Sequence, residues 1–128
     1  MRIGLLGLGR IGAFHAETLA GLPAVDSLVV SDPVPGRARD AAERFGAHVA
    51  GTPEALLASG VDGVVIAAAT GAHPELLLLC VTAGVPTFCE KPVAPAAAED
   101  ALEASWIAEA CSLSLHEHRP VRIEEARP

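Results

Sequence analysis

Arg2-Ile3-Gly4-Leu5-Leu6-Gly7-Leu8-Gly9-Arg10-Ile11-Gly12 is the stretch from which the rest of the chain is read. An apolar run, Ile3 to Leu6, leads into Gly7-Leu8-Gly9-Arg10-Ile11-Gly12, and an amphipathic segment follows at once. Strand, G-x-G-x-x-G, helix is the order of the dinucleotide-binding fingerprint. Gly7 allows a tight turn out of the strand. Gly9 has no Cβ to block a pyrophosphate, and Gly12 lets the helix pack closely on the strand. The N–H groups of Arg10 and Ile11 then point at the phosphates, aided by the positive end of the helix dipole.

The bulk composition narrows the class. One hundred and twenty-eight residues, 51% apolar and 20% charged, make a globular chain long enough for a real core. A net charge of −7 argues against nucleic acid or an anionic membrane as partner. Aromatics are few (Phe14, Phe45, Phe88 and Trp106, with no tyrosine), so stacking platforms for single strands are not expected. Cys80, Cys89 and Cys111 show no C-x-x-C spacing and read as reduced thiols of a cytoplasmic protein. The N-terminus lacks a signal-peptide pattern, and no apolar run reaches membrane length.

Past the glycines, Ile11, Phe14 or His15, Thr18 or Leu19, and Leu22 recur at helical spacing until Gly21 and Pro23 stop the helix. His15 on that helix reads as partly buried or solvent-facing rather than as a ligand. Ser27 to Ser31 is the second strand and ends at Asp32, twenty positions beyond Gly12. An acidic residue there is expected to accept the adenosine ribose hydroxyls; a turn or N-cap role before Pro33 is the alternative. A carboxylate repels a 2′-phosphate, so NAD is expected over NADP, a preference that Arg37 and Arg39 soften.

Gly36 to Phe45 reads as a helix and Ala47 to Ala50 as a weak third strand. Thr52-Pro53-Glu54 caps a short helix through Leu57. Val61 to Ala67 is a central fourth strand, Ala68 to Ala72 a loop, and His73-Pro74-Glu75 starts a helix whose Leu76 to Leu79 run is core. Gly84 closes it, Val85 to Cys89 is the fifth strand, and Glu90-Lys91-Pro92 follows. Pro95 to Ala110 reads as a last helix with Glu99, Asp100, Glu103 and Glu109 outside.

Strands alternating with helices define a Rossmann-type, doubly wound parallel α/β sheet of order 3-2-1-4-5. Ser112 to Leu115, with period two, can add a short sixth strand. The glycines, Asp32, Thr70, His73, Glu90 and Lys91 all fall beyond strand C-terminal ends, the edge where such sheets bind ligands.

A glycine fingerprint at the N-terminus, an acidic end to strand two, Thr70-x-x-His73 after strand four and Glu90-Lys91-Pro92 after strand five belong together. Over residues 2–105 the chain resembles the N-terminal half of the Gfo/Idh/MocA oxidoreductases, the glucose-fructose oxidoreductase-like and inositol dehydrogenase-like enzymes. The resemblance implies that Gly7, Gly9, Gly12 and the Arg10 and Ile11 amides hold the pyrophosphate and Asp32 the ribose. It puts Arg37, Thr70, His73, Glu90 and Pro92 at the cofactor cleft, with Thr70 and His73 on the nicotinamide side. Lys91, the single lysine, would be catalytic, stabilising the alkoxide that develops as hydride leaves, and Pro92 would follow a cis peptide bond. A solvated strand-end lysine and an exposed helix-start histidine are the plainer readings of Lys91 and His73. Ala69 stands where the family usually has proline.

The resemblance also implies a second α/β domain, with an aspartate and a histidine that work beside the lysine. Nothing after Trp106 resembles it. Residues 1–110 are therefore expected to form the dinucleotide domain and residues 111–128 a divergent or truncated tail. His116 and His118 can share a strand face, but a third metal ligand is not evident, and a frayed polar terminus is the plainer reading. The expected activity is hydride transfer between NAD and a sugar, cyclitol or related alcohol, with a homo-oligomer or a partner chain supplying the missing wall. A cofactor-binding module without turnover, or an inactive remnant, are the alternatives.

Overall fold

The computed structural model describes residues 1–93 and Glu125. Along the chain come β1 (Arg2–Leu6), α1 (Arg10–Ala20), β2 (Ser27–Ser31), α2 (Pro35–Phe45), β3 (His48–Val49), α3 (Pro53–Ala58) and β4 (Gly63–Ile66). A 3-10 turn (Thr70–Ala72), α4 (His73–Thr82) and β5 (Thr87–Cys89) follow. The five strands form one parallel sheet in the order β3-β2-β1-β4-β5, as expected.

Strand residues alternate between the two faces of this sheet, and each face builds its own core. Leu5, Leu28 and Val30 pack with Ala16 of α1 and with Ala38 and Ala41 of α2. Leu6, Val29, Val64 and Ile66 pack with Leu56 of α3 and with Leu77 and Cys80 of α4. Burying one such aliphatic side chain stabilises the fold by about 1.5–3 kcal/mol, and β1 contributes to both layers through consecutive leucines. Thr52 caps α3 by accepting the Ala55 N–H at 3.1 Å, and Pro53 occupies its first turn.

Three expectations need correction. The buried side of α1 is Gly12 and Ala16, while Ile11, Phe14 and Leu22 are exposed, Phe14 at 64%. At Gly12 the close approach of the Gly7 turn leaves no room for a side chain, and Leu19 packs partly buried against the same core. In α4 the leucine run is not uniformly core: the buried stripe is His73, Leu77 and Cys80, and Leu78 stands half exposed. Several boundaries also differ. Helix α2 starts at Pro35, β3 and β4 are shorter at both ends, β5 is shorter at its N-terminal end, and the Ala68–Ala72 loop contains the 3-10 turn.

The helix expected from Pro95, the strand expected from Ser112, Cys111, and His116 with His118 lie outside the described residues. Among the described residues, no helix is long and apolar enough to cross a membrane.

Candidate dinucleotide-binding site

The turn after β1 is held by its neighbours on both sides. Gly7 donates its N–H to the Ser31 carbonyl at 2.9 Å, and Leu8 donates to Asp32 Oδ2 at 2.7 Å. Gly7 has φ +93°, a left-handed conformation natural to glycine, and a Cβ there would sit 2.5 Å from the Ala68 backbone. A Cβ on Gly12 would lie 1.9 Å from the Gly7 carbonyl oxygen. A Cβ on Gly9 would meet nothing within 4 Å. The first and third glycines are thus demanded by the fold, whereas Gly9 borders open space.

That space is a cleft of about 740 Å³ along the C-terminal edge of the sheet. Gly7, Gly9, Arg10, Ile11, Asp32, Arg37, Thr70, His73, Glu90 and Lys91 all line it. Gly12 does not, because it packs behind the turn, and Pro92 reaches the site only through its carbonyl, which contacts His73. Sequence reasoning overlooked Ser31, Thr52 and Pro53, which also line the cleft. The same edge rule applied after β3 would have found Thr52 and Pro53. No side chain caps α1, so its first-turn amides keep their capacity for an anion. An open face at Gly9, uncapped amides and an acidic β2 end fit a dinucleotide.

Asp32 takes the turn role expected before Pro33 and also lines the cleft. Its side chain is 2% exposed, Oδ2 takes the Leu8 N–H, and Oδ1 takes the Val34 N–H at 2.7 Å in the predicted turn contact. The Arg37 guanidinium lies 3.8 Å from Oδ1. Each carboxylate oxygen has capacity beyond the one bond it accepts from the backbone. Lys91 is exposed and stands two positions beyond β5, and the Lys91–Pro92 peptide is cis.

Two histidines contact the segment that follows β5. His15 of α1 is partly buried, as expected, and its Nε2 donates to Glu90 Oε1 at 2.6 Å. That bond, ahead of smaller contributions from the Lys91 amide and nearby positive charge, holds the Glu90 carboxyl below the ordinary glutamate value. His73 is 1% exposed, so the exposed helix-start reading fails. Its Nδ1 faces the Pro92 carbonyl at 2.9 Å and its Nε2 the Ala68 carbonyl at 2.8 Å.

A parallel 3-2-1-4-5 sheet with a glycine turn and an acidic second strand end defines a Rossmann-type dinucleotide-binding protein. Residues 1–116 match the model of an oxidoreductase family with an NAD-binding Rossmann fold. The chain belongs to this family, the Gfo/Idh/MocA oxidoreductases. It is 45% identical over 95 residues to the myo-inositol dehydrogenase Hyg17 of Streptomyces leeuwenhoekii, covering 73% of this chain and 29% of that one. A Gfo/Idh/MocA family oxidoreductase from Vibrio cholerae superposes with a TM-score of 0.76 at 31% identity, over 87% of this chain and 36% of that one. GenD2 of gentamicin A biosynthesis, solved in complex with NAD, gives 0.75 at 30% identity, over 88% of this chain and 32% of that one. The chain therefore spans about a third of the length of these proteins.

Proposed function

We propose that this chain is the NAD-binding half of an oxidoreductase that moves a hydride between the nicotinamide and a sugar, cyclitol or related alcohol. The observation that carries this reading is the meeting of the glycine turn, Asp32 and Lys91 on one cleft. Bound NAD would supply the hydride acceptor. The glycine turn and the Arg10 and Ile11 amides would hold the pyrophosphate, with Asp32 and Arg37 at the adenosine ribose. Thr70, His73 and Glu90 would form the nicotinamide wall, and Lys91 would donate a hydrogen bond to the substrate oxygen as negative charge develops there. The Asp32 carboxylate favours NAD over NADP.

Inositol is the favoured substrate class, because a relative 45% identical to the chain is named a myo-inositol dehydrogenase. We assign residues 1–110 to the dinucleotide domain and residues 111–128 to a separate tail, and the protein to the cytoplasm. The remaining substrate contacts would come from a second wall, supplied by further chain, a second copy or a partner. The exposure of Lys91 favours a second reading, a dinucleotide-binding module without turnover of its own. NADH titration followed by a polyol dehydrogenase screen tests both. Binding with turnover supports the first, binding alone supports the second, and absence of binding rejects both.

A further inference from the structure

Among the described residues, His73 is an imidazole inside an otherwise apolar stripe. Leu77 and Cys80, one and two turns along α4, face the same core. Its two nitrogens address two different loops: Ala68, just beyond β4, and Pro92, just beyond Lys91. Both partners are carbonyl oxygens, which only accept, so the ring nitrogen that carries the N–H donates to the carbonyl it faces. The Ala68 backbone in turn lies against the glycine turn, close enough that a Cβ on Gly7 would reach within 2.5 Å of its N and Cα. One ring therefore stands between the turn that opens α1 and the segment that carries the single lysine.

We propose that His73 is a positioning residue, which holds the Lys91–Pro92 segment against the Ala68 backbone and so sets Lys91 relative to the Gly7 turn. The inference rests on the reading of this cleft as a dinucleotide site with Lys91 at its reacting end. Burial and two occupied nitrogens leave His73 poorly placed to bond a ligand itself. It acts through Lys91. The buried ring fills the gap between the two loops.

Because Lys91 is the only lysine, reductive 13C-methylation of the full chain labels one side chain, apart from the α-amino group. Its NMR signal can be followed with and without saturating NADH in wild type, His73→Leu and His73→Gln. The Leu variant fills the space but offers no donor. Its cofactor-free Lys91 signal should move away from the wild-type position, and its response to NADH should shrink. His73→Gln, with one amide group to share between the two loops, should shift the signal the same way by less. A wild-type Lys91 signal in a folded Leu variant overturns the proposal. So does an NADH affinity about tenfold weaker with an unmoved cofactor-free signal, which would make His73 a direct ligand. If the Leu variant does not fold, the Gln variant decides alone, and an unmoved signal there overturns the proposal. Failure of the wild type to bind NADH would reject the dinucleotide reading, yet the cofactor-free comparison would still decide the role of His73.

Discussion

Glu90 and His15, separated by 75 positions in the chain, meet through a 2.6 Å hydrogen bond between Oε1 and Nε2. The other carboxylate oxygen of Glu90 accepts the Lys91 N–H at 3.3 Å. Helix α1, which starts at the glycine turn, is thereby tied to the segment that presents Lys91. The His15 ring is flanked at its edges by Phe14 and Phe88, with centroids 6.1 and 5.9 Å away.

This pair makes stability depend on pH in one direction. The folded-state pKa of Glu90 lies below the ordinary 4.5, chiefly because of the His15 bond. Its stabilising contribution is therefore present above the unfolded value and is lost as pH falls through the lowered folded value. Glu90→Gln should reduce Tm at neutral pH, and the deficit should close under acid conditions. Thermal melts of both proteins across that range check the sign; a deficit that widens in acid refutes it.

Gly9 and Gly12 should separate binding from folding. Gly9→Val faces open space, so the protein should fold normally and lose NADH affinity by more than about tenfold. Gly12→Ala drives a Cβ into the Gly7 carbonyl and should cost upwards of about 3 kcal/mol of stability. Denaturant titration and NADH binding on the two variants measure both effects. Unchanged NADH affinity in folded Gly9→Val would remove the glycine turn from the site.

Asp32→Ala should have two consequences at once. It removes the acceptor of the part-buried Leu8 N–H and of the exposed Val34 N–H, costing about 1–3 kcal/mol, chiefly at Leu8. It also frees Arg37 from its carboxylate neighbour, so the preference for NADH over NADPH should narrow or invert. Competitive titration of both cofactors reads the change. Tighter NADPH than NADH binding by wild type would show that Asp32 does not read the ribose.

The 128-residue chain alone should bind NADH with little or no polyol oxidation. Lys91 is exposed, so its surroundings are wet and its stabilisation of a developing alkoxide is weak. Positioning of substrate, worth roughly 7–11 kcal/mol when complete, would need contacts from a second wall. Turnover of a polyol by this chain, abolished by Lys91→Ala, would contradict the expectation.

The order of the strands and the location of the cleft were legible because they follow from local signals. Glycines at fixed offsets, apolar runs and Asp32 at a strand end each carry their own meaning. In α1 the close packing of Gly12 was legible from the fingerprint, but the burial of Ala16 and the exposure of Phe14 were not, because hydrophobicity alone does not encode clearance. His73 was half legible: its i, i+4, i+7 relation to Leu77 and Cys80 marks it as buried, but the two carbonyls it meets belong to distant loops. The His15–Glu90 contact depends on how α1 lies over β5, so no local pattern announces it.

Strand β3 contributes only two residues to the sheet, and both are exposed. It is anchored to β2 by the Val29–His48 and Val30–Val49 pairs and by the Ala50 N–H on the Val30 carbonyl. So short an edge offers little template for intermolecular strand addition, which protects the molecule against sheet-to-sheet polymerisation. It also makes this flank the cheapest part of the sheet to peel away. Gly51, Thr52 and Pro53 hang directly from it and border the cleft. A dinucleotide gripping that border would clamp the peeling edge, converting ligand occupancy into slower amide exchange at the outer strand.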